Sequence, residues 1–185
     1  LAPSKGVGVD FSPEMIQRAR KRHPEITFIE ADCHSLQMLE EPFDAIILSD
    51  LVDDLWDVQG VFAQLPRLCH KRTRIILNSY SRVWELPLAI AAKLGLAKPK
   101  MPQNWLTIDD ISDLMILTDI EVIRSWHEVL WPFHFPVIAG LCNKILAKLW
   151  PFHLFAMNNF ILARPGARKS AEAPLVSVIV PARNE

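Results

Sequence analysis

The chain has 185 residues, half of them hydrophobic and 22% charged, which suits one α/β domain with a sizeable core plus a tail and excludes a disordered polymer. A net charge of −1 and a pI near 6.7 exclude the basic face that nucleic-acid binding requires. Cys33, Cys69 and Cys142 are far apart, odd in number and form no CxxC pair, which fits a reducing cytoplasm and supplies neither a disulfide framework nor a zinc site.

Leu1 stands where a methionine would start a protein, no signal-peptide pattern follows, and the last residues Val-Pro-Ala-Arg-Asn-Glu close no element. Both ends therefore read as cuts in a longer polypeptide. The first predicted strand covers residues 5–9 and ends at Asp10. Ser12 is a good N-cap, Pro13 suits the first helical position and Glu14 favours the positive helix end. Met15, Ile16 and Ala19 give that helix its apolar face, His23-Pro24 ends it, and Arg18, Arg20, Lys21 and Arg22 form its solvated side.

A strand over 26–30 leads into the polar loop 31–36, and the apolar run 43–48 has the form of a strand buried on both faces. Val61, Phe62, Leu65 and Leu68 recur at helical spacing with Pro66 as a kink, and 74–78 is the next strand. Residues 84–94 are helical in pattern, Thr107-Ile108-Asp109-Asp110 opens a further helix as a capping-box variant, and 120–126 and 159–163 are the last strands. Strands alternating with helices at this spacing predict an α/β doubly wound, mostly parallel sheet, with ligands beyond the carboxyl ends of the strands. The candidate site is thus the set of loops that begin at Asp10, at Asp32 and at Ser49.

Asp10, at the carboxyl end of a strand, can accept hydrogen bonds from both hydroxyls of a ribose; its bland alternative is helix capping, which Ser12 fills better. Asp32 can accept from an adenine amino group, although an aspartate in a loop is more often a turn residue. Gly-Val-Asp10-Phe11-Ser12-Pro-Glu-Met15, then Asp32, then Phe43-Asp44-Ala-Ile-Ile resemble, in order, the motifs of class I S-adenosylmethionine-dependent methyltransferases of the small-molecule type, over residues 1–165. The resemblance implies a Rossmann-like methyltransferase sheet with an antiparallel last strand and S-adenosylmethionine as cosubstrate. It places Asp10 on the ribose, Phe11 and Met15 near the adenine, Asp32 at the adenine amino group, Cys33 as a backbone contact and Ser49 in the cofactor-binding set.

The family's glycine-rich loop precedes the ribose acid by a helix, and nothing here supplies it. Gly6-Val7-Gly8 lies inside a strand and is better explained by close packing. The expected domain therefore lacks its first strand and that loop, and weak or no S-adenosylmethionine binding is expected of these 185 residues. In the loop after strand 43–48, Asp50 is the candidate base toward an acceptor, whereas Asp53 and Asp54 read as solvated loop and helix-start residues. His70-Lys71-Arg72-Thr73 stands where the family has a Pro-Gly-Gly turn. Tyr80, Arg82 and Trp84 either line an acceptor pocket or belong to the core.

The pentapeptide Leu130-Trp131-Pro132-Phe133-His134 repeats as Leu149-Trp150-Pro151-Phe152-His153 within two charge-free runs, 129–143 and 149–163, that flank Lys144 and Lys148. Both runs are shorter than the ~20 residues of a spanning helix. They suit an insertion packed on the sheet, a lid over an apolar acceptor or an interfacial element at the inner face of a membrane.

Residues 166–174 are linker-like, and Leu175-Val-Ser-Val-Ile-Val-Pro181-Ala-Arg-Asn184-Glu185 resembles the first strand of family 2 glycosyltransferases. The resemblance implies a bifunctional cytoplasmic enzyme, its glycosyltransferase domain continuing in the same chain, with a small-molecule or glycan- or lipid-linked methyl acceptor. Two alternatives remain at the level of sequence. One is a nicotinamide-dependent Rossmann oxidoreductase, for which no Tyr-x-x-x-Lys pair is present; the other is a degenerate domain that regulates the attached glycosyltransferase.

Overall fold

The computed structural model describes residues 5–95, 104–128 and 156–166. The expectations for 129–155, for the linker after Gly166 and for the strand at 175–180 lie outside the described residues.

Strand β1 (Val7–Asp10) pairs in parallel with β2 (Thr27–Glu30), Gly8 standing beside Phe28. A Cβ on Gly8 would lie 2.6 Å from two carbons of the Phe28 ring, so the close packing read from the sequence is a glycine covered by an aromatic ring. Helix α1 (Pro13–Arg22) connects the two strands. The Ser12 hydroxyl accepts from the Met15 N–H at 3.4 Å, Pro13 occupies the first turn, and Arg20, Lys21 and Arg22 complement the negative helix end. Ile16, 2% exposed, is the one fully buried side chain that α1 contributes.

The remaining strands form a second sheet in the order β3-β4-β6-β5, comprising β3 (Phe43–Leu48), β4 (Cys69–Tyr80), β5 (Ile120–Glu128) and β6 (Asn158–Pro165). β3 and β4 are parallel, and β6 runs antiparallel to both β4 and β5. β3, β4 and β5 therefore share one direction and β6 alone is reversed, as expected for a mostly parallel sheet with an antiparallel last strand. Among the described residues, β1 and β3 are not hydrogen-bonded to each other.

Helices α2 (Val58–Gln64) and α4 (Ile108–Leu117) cover one face of this sheet. Val61, Phe62, Ile111 and Met115, all fully buried, pack there with Leu48, Ile75, Leu77, Ile161 and Ala163. Each large side chain so buried contributes roughly 1.5–3 kcal/mol of transfer free energy. Pro66 ends α2 in a short 3-10 turn over Leu65–Leu68, the kink its position predicts.

Two readings need correction. The apolar run 43–48 is not buried on both faces: Ile47 is 57% exposed, because among the described residues helices cover only the face that carries Leu48. His70-Lys71-Arg72-Thr73 is not a turn before a strand but belongs to β4, which begins at Cys69. The register passes from Phe43 opposite Cys69 to Ala45 opposite Arg74, so β4 bulges by several residues. The Thr73 hydroxyl holds the bulge, accepting from the His70 N–H at 2.8 Å and donating to the Phe43 carbonyl at 2.5 Å.

Candidate functional site at the carboxyl ends of the strands

Asp10 is the last residue of β1, and its neighbour on β2 is Glu30, so the loops that carry Asp10 and Asp32 leave the same end of two adjacent parallel strands. The Ala31 N–H donates to the Asp10 carbonyl at 3.0 Å and ties them together. Oδ1 of Asp10 accepts from the Ser12 N–H at 2.8 Å, so the carboxylate helps to start α1 even though Ser12 is the cap. Phe11 and Met15 are 76% and 51% exposed beside it. Such apolar exposure on two residues flanking a carboxylate is what a planar ligand would cover. Gly8, Asp10, Met15, Ala19 and Phe28 border a cavity of about 140 Å³.

Asp32 performs the turn role that was its bland reading. Its Oδ1 accepts from the His34 backbone N–H at 2.8 Å and lies 2.7 Å from His34 Nδ1. These bonds, the backbone one first, hold its carboxyl below the usual aspartate range. Only one of its two oxygens is engaged in those contacts, so the turn leaves the adenine reading standing.

Burial, and then the neighbouring Asp32 charge, pushes the Cys33 thiol up to about 11. The Asp32, Cys33 and His34 donor atoms lie within 4.8 Å of one another, drawn together by the turn that Asp32 closes on His34.

Beyond β3, Ser49 is exposed and Asp50 adopts a left-handed φ of +49°. That conformation is uncommon for a residue with a Cβ and is held by reciprocal bonds to Asn78. Asn78 Nδ2 donates to Asp50 Oδ1 at 2.6 Å, and the Asp50 N–H donates to Asn78 Oδ1 at 3.2 Å.

Asp53 is not a solvated loop residue: it is 2% exposed, and its Oδ2 accepts from the Tyr80 N–H at 2.8 Å. Its carboxylate is buried because it ties the loop after β3 to the end of β4. Asp54 is exposed as expected. Phe43 and Asp44 lie at the amino end of β3, where Asp44 meets His70 Nε2 at 2.9 Å. This part of the motif secures the β4 bulge and does not approach the site. Tyr80 and Trp84 are half-buried, and Arg82 lines a cleft between α3 (Glu85–Lys93) and α4.

Sequence reasoning missed three supporting residues. Asn78, like Asp10, is a polar side chain near the carboxyl end of an apolar strand, and that position is the signal that marks it. Gln64 reaches back from α2: its Oε1 accepts from the Leu36 N–H at 2.9 Å and its Nε2 donates to the His34 carbonyl at 3.0 Å. The His34 ring stacks on Trp56 at 4.4 Å and 21°, joining the loop after β2 to the loop after β3. No local pattern announces either contact, because each spans more than twenty positions.

Known proteins similar to this chain are methyltransferases. A phosphatidylethanolamine N-methyltransferase of Cereibacter sphaeroides is 27% identical over 104 residues, covering 53% of this chain and 51% of that protein, so the chain spans about half the length of its curated relative. A crystal structure of an S-adenosylmethionine-dependent methyltransferase from Mesorhizobium loti superposes with a TM-score of 0.62 at 17% identity, covering 87% of this chain and 80% of that one. A magnesium protoporphyrin IX methyltransferase from Synechocystis, solved with bound SAH, gives a TM-score of 0.57 at 16% identity over 88% of this chain and 64% of that one. At such identities these structures show the Rossmann-like methyltransferase fold. The family model described as "Methyltransferase domain" matches residues 1–134, and the chain belongs to that family.

Proposed function

We propose that this chain is an S-adenosylmethionine-dependent methyltransferase domain whose cosubstrate lies along Asp10, Phe11, Met15, Asp32, Cys33 and Ser49. The observation that carries the reading is the arrangement at the ends of β1 and β2: two carboxylates on adjacent strands, with the exposed apolar side chains of Phe11 and Met15 beside the first. That set fits a nucleoside, with Asp10 receiving the ribose hydroxyls, Asp32 the adenine amino group and the two apolar side chains the base plane. When bound, S-adenosylmethionine supplies an electrophilic methyl group on a sulfonium. In this reading Asp50, bonded to Asn78, accepts a proton from the acceptor, and alignment of the acceptor does most of the remaining work.

The described residues form one wall of such a site. The cavity beside Asp10 is about 140 Å³, well under the ~300 Å³ at which ligand pockets begin. A further parallel strand between β1 and β3, followed by a glycine-rich loop and contributed by polypeptide preceding Leu1, would join the two sheets and supply the other wall. The reading extends to a bifunctional cytoplasmic enzyme whose glycosyltransferase domain continues from residues 175–185, acting at the inner face of a membrane on a glycan- or lipid-linked acceptor. Two observations support a lipid-linked acceptor: the lipid in the relative's name and the exposed apolar side chains of Leu86 and Ile90 on α3, with Val83 just before it and Leu94 at its C-cap. No helix among the described residues is long and apolar enough to cross a membrane.

Calorimetric titration with S-adenosylmethionine tests the reading on this chain and on a polypeptide extended upstream. The extended protein should bind and this chain should bind weakly or not at all; equal affinity would show the upstream strand and loop unnecessary. In the extended protein Asp10→Asn should abolish binding with the thermal midpoint little changed, because an amide oxygen still accepts from Ser12. Unchanged binding in that variant would favour a degenerate, regulatory domain.

A further inference from the structure

Outside the cosubstrate wall, a cleft of about 660 Å³ lies between α3 and α4, within the ~300–1,000 Å³ range of small-molecule sites. Trp105 and Leu114 line it together with Arg82, Glu85, Asp110 and Asp113. Three carboxylates against one guanidinium leave the walls net negative. Arg82 approaches Glu85 at 3.9 Å and its positive charge also acts on Asp110, so the one guanidinium is shared between two of the three carboxylates.

Asp110 is held in position: as the third residue of α4 its Oδ2 accepts from the Thr107 N–H at 2.9 Å and from the Thr107 hydroxyl at 2.7 Å. The cleft is also fastened to the candidate site. Asn104, which lines it, donates from its backbone N–H to the Asp53 carbonyl at 2.7 Å and from its side chain to the Leu55 carbonyl. Asp53 in turn accepts from Tyr80 at the end of β4. The cleft therefore adjoins the loop that carries Asp50.

We propose that this cleft is the subsite for an ammonium-bearing group of the methyl acceptor, a primary or partly methylated amine held over the Trp105 indole by Asp113 and Asp110. An aromatic face and carboxylates together select a cation over a neutral molecule of the same shape. This identification of the acceptor rests on the methyltransferase reading, but binding of an amine in the cleft does not require the methyl donor.

The test uses this chain without donor and follows the indole N–H resonance of Trp105, assigned with Trp105→Phe. Choline and ethanolamine are titrated against the neutral isostere of choline in which carbon replaces nitrogen. Choline should bind about tenfold more tightly than its isostere, the difference a cation–π contact with nearby carboxylates supplies. Asp113→Asn and Glu85→Gln, neither of which caps a helix, should each weaken choline several-fold while the isostere is unaffected. Equal affinity for choline and its isostere overturns the proposal, as does choline binding unchanged in the Asp113→Asn, Glu85→Gln double variant or the absence of any Trp105 response. Loss of S-adenosylmethionine binding in the extended protein with the amine response intact would instead sink the methyltransferase reading and leave an amine-binding cleft.

Discussion

At the residue scale, the candidate site is built from side chains that each do a local structural task with one carboxylate oxygen. Asp10 starts α1, Asp32 closes a turn on His34, and Asp50 holds a left-handed backbone through Asn78. Because these bonds engage Oδ1, the bland reading of Asp10 and Asp32 does not exclude the proposed one. Cys33 and Cys69 are different, since their environment suppresses the reactive thiolate. Burial raises both Cys33 and Cys69 to about 11 from the ordinary 9.0, leaving thiolate roughly 100-fold scarcer than in a free thiol. In a Cys142→Ser background, alkylation of the native protein at neutral pH should be slower than that of an unfolded control by about that factor. Comparable rates in native and denatured protein would contradict this burial.

At the element scale, the caps and the apolar faces were legible and the strand limits were not. The Thr107 capping box forms as the sequence indicates, with both reciprocal bonds present. Thr107→Ala should destabilise the domain by about 1 kcal/mol at neutral pH. The hydrogen bonds from Thr107, the hydroxyl first, lower the Asp110 pKa from 3.8, so their contribution is fully present above that value and is lost as pH falls through the lower folded one. The gap between wild type and variant in thermal unfolding should therefore narrow below about pH 4; a gap that widens there would contradict the assignment.

The face of α2 is equally plain in the sequence, and Phe62 is fully buried against the sheet. Phe62→Ala should cost about 3–5 kcal/mol in denaturant unfolding. The β4 bulge was hidden because His70 to Thr73 are polar and carry no strand period. They belong to the strand through the Thr73 and His70 bonds to residues some thirty positions earlier.

At the scale of the whole molecule, the described strands fall into two sheets, and the exposed side chain of Ile47 lies on β3, the edge strand of the larger one. β4 is bonded on both sides, to β3 and β6, whereas among the described residues β3 is bonded on one. Amides of β3 that point away from β4 should exchange with solvent well before those of β4 in this chain, and become protected in a polypeptide extended upstream. Uniform protection across β3 here would mean that another segment already covers this edge.

The order of elements, the caps, the apolar face of α2 and the position of Asp10 were determined by the sequence alone, because each depends on residues within one or two turns of one another. The exposure of Ile47, the burial of Asp53, the Asp50–Asn78 pair and the cleft between α3 and α4 were decided only in the tertiary structure. They arise where segments far apart in the chain are brought within a hydrogen bond or a van der Waals contact, and no local period of apolar residues records which segments those will be.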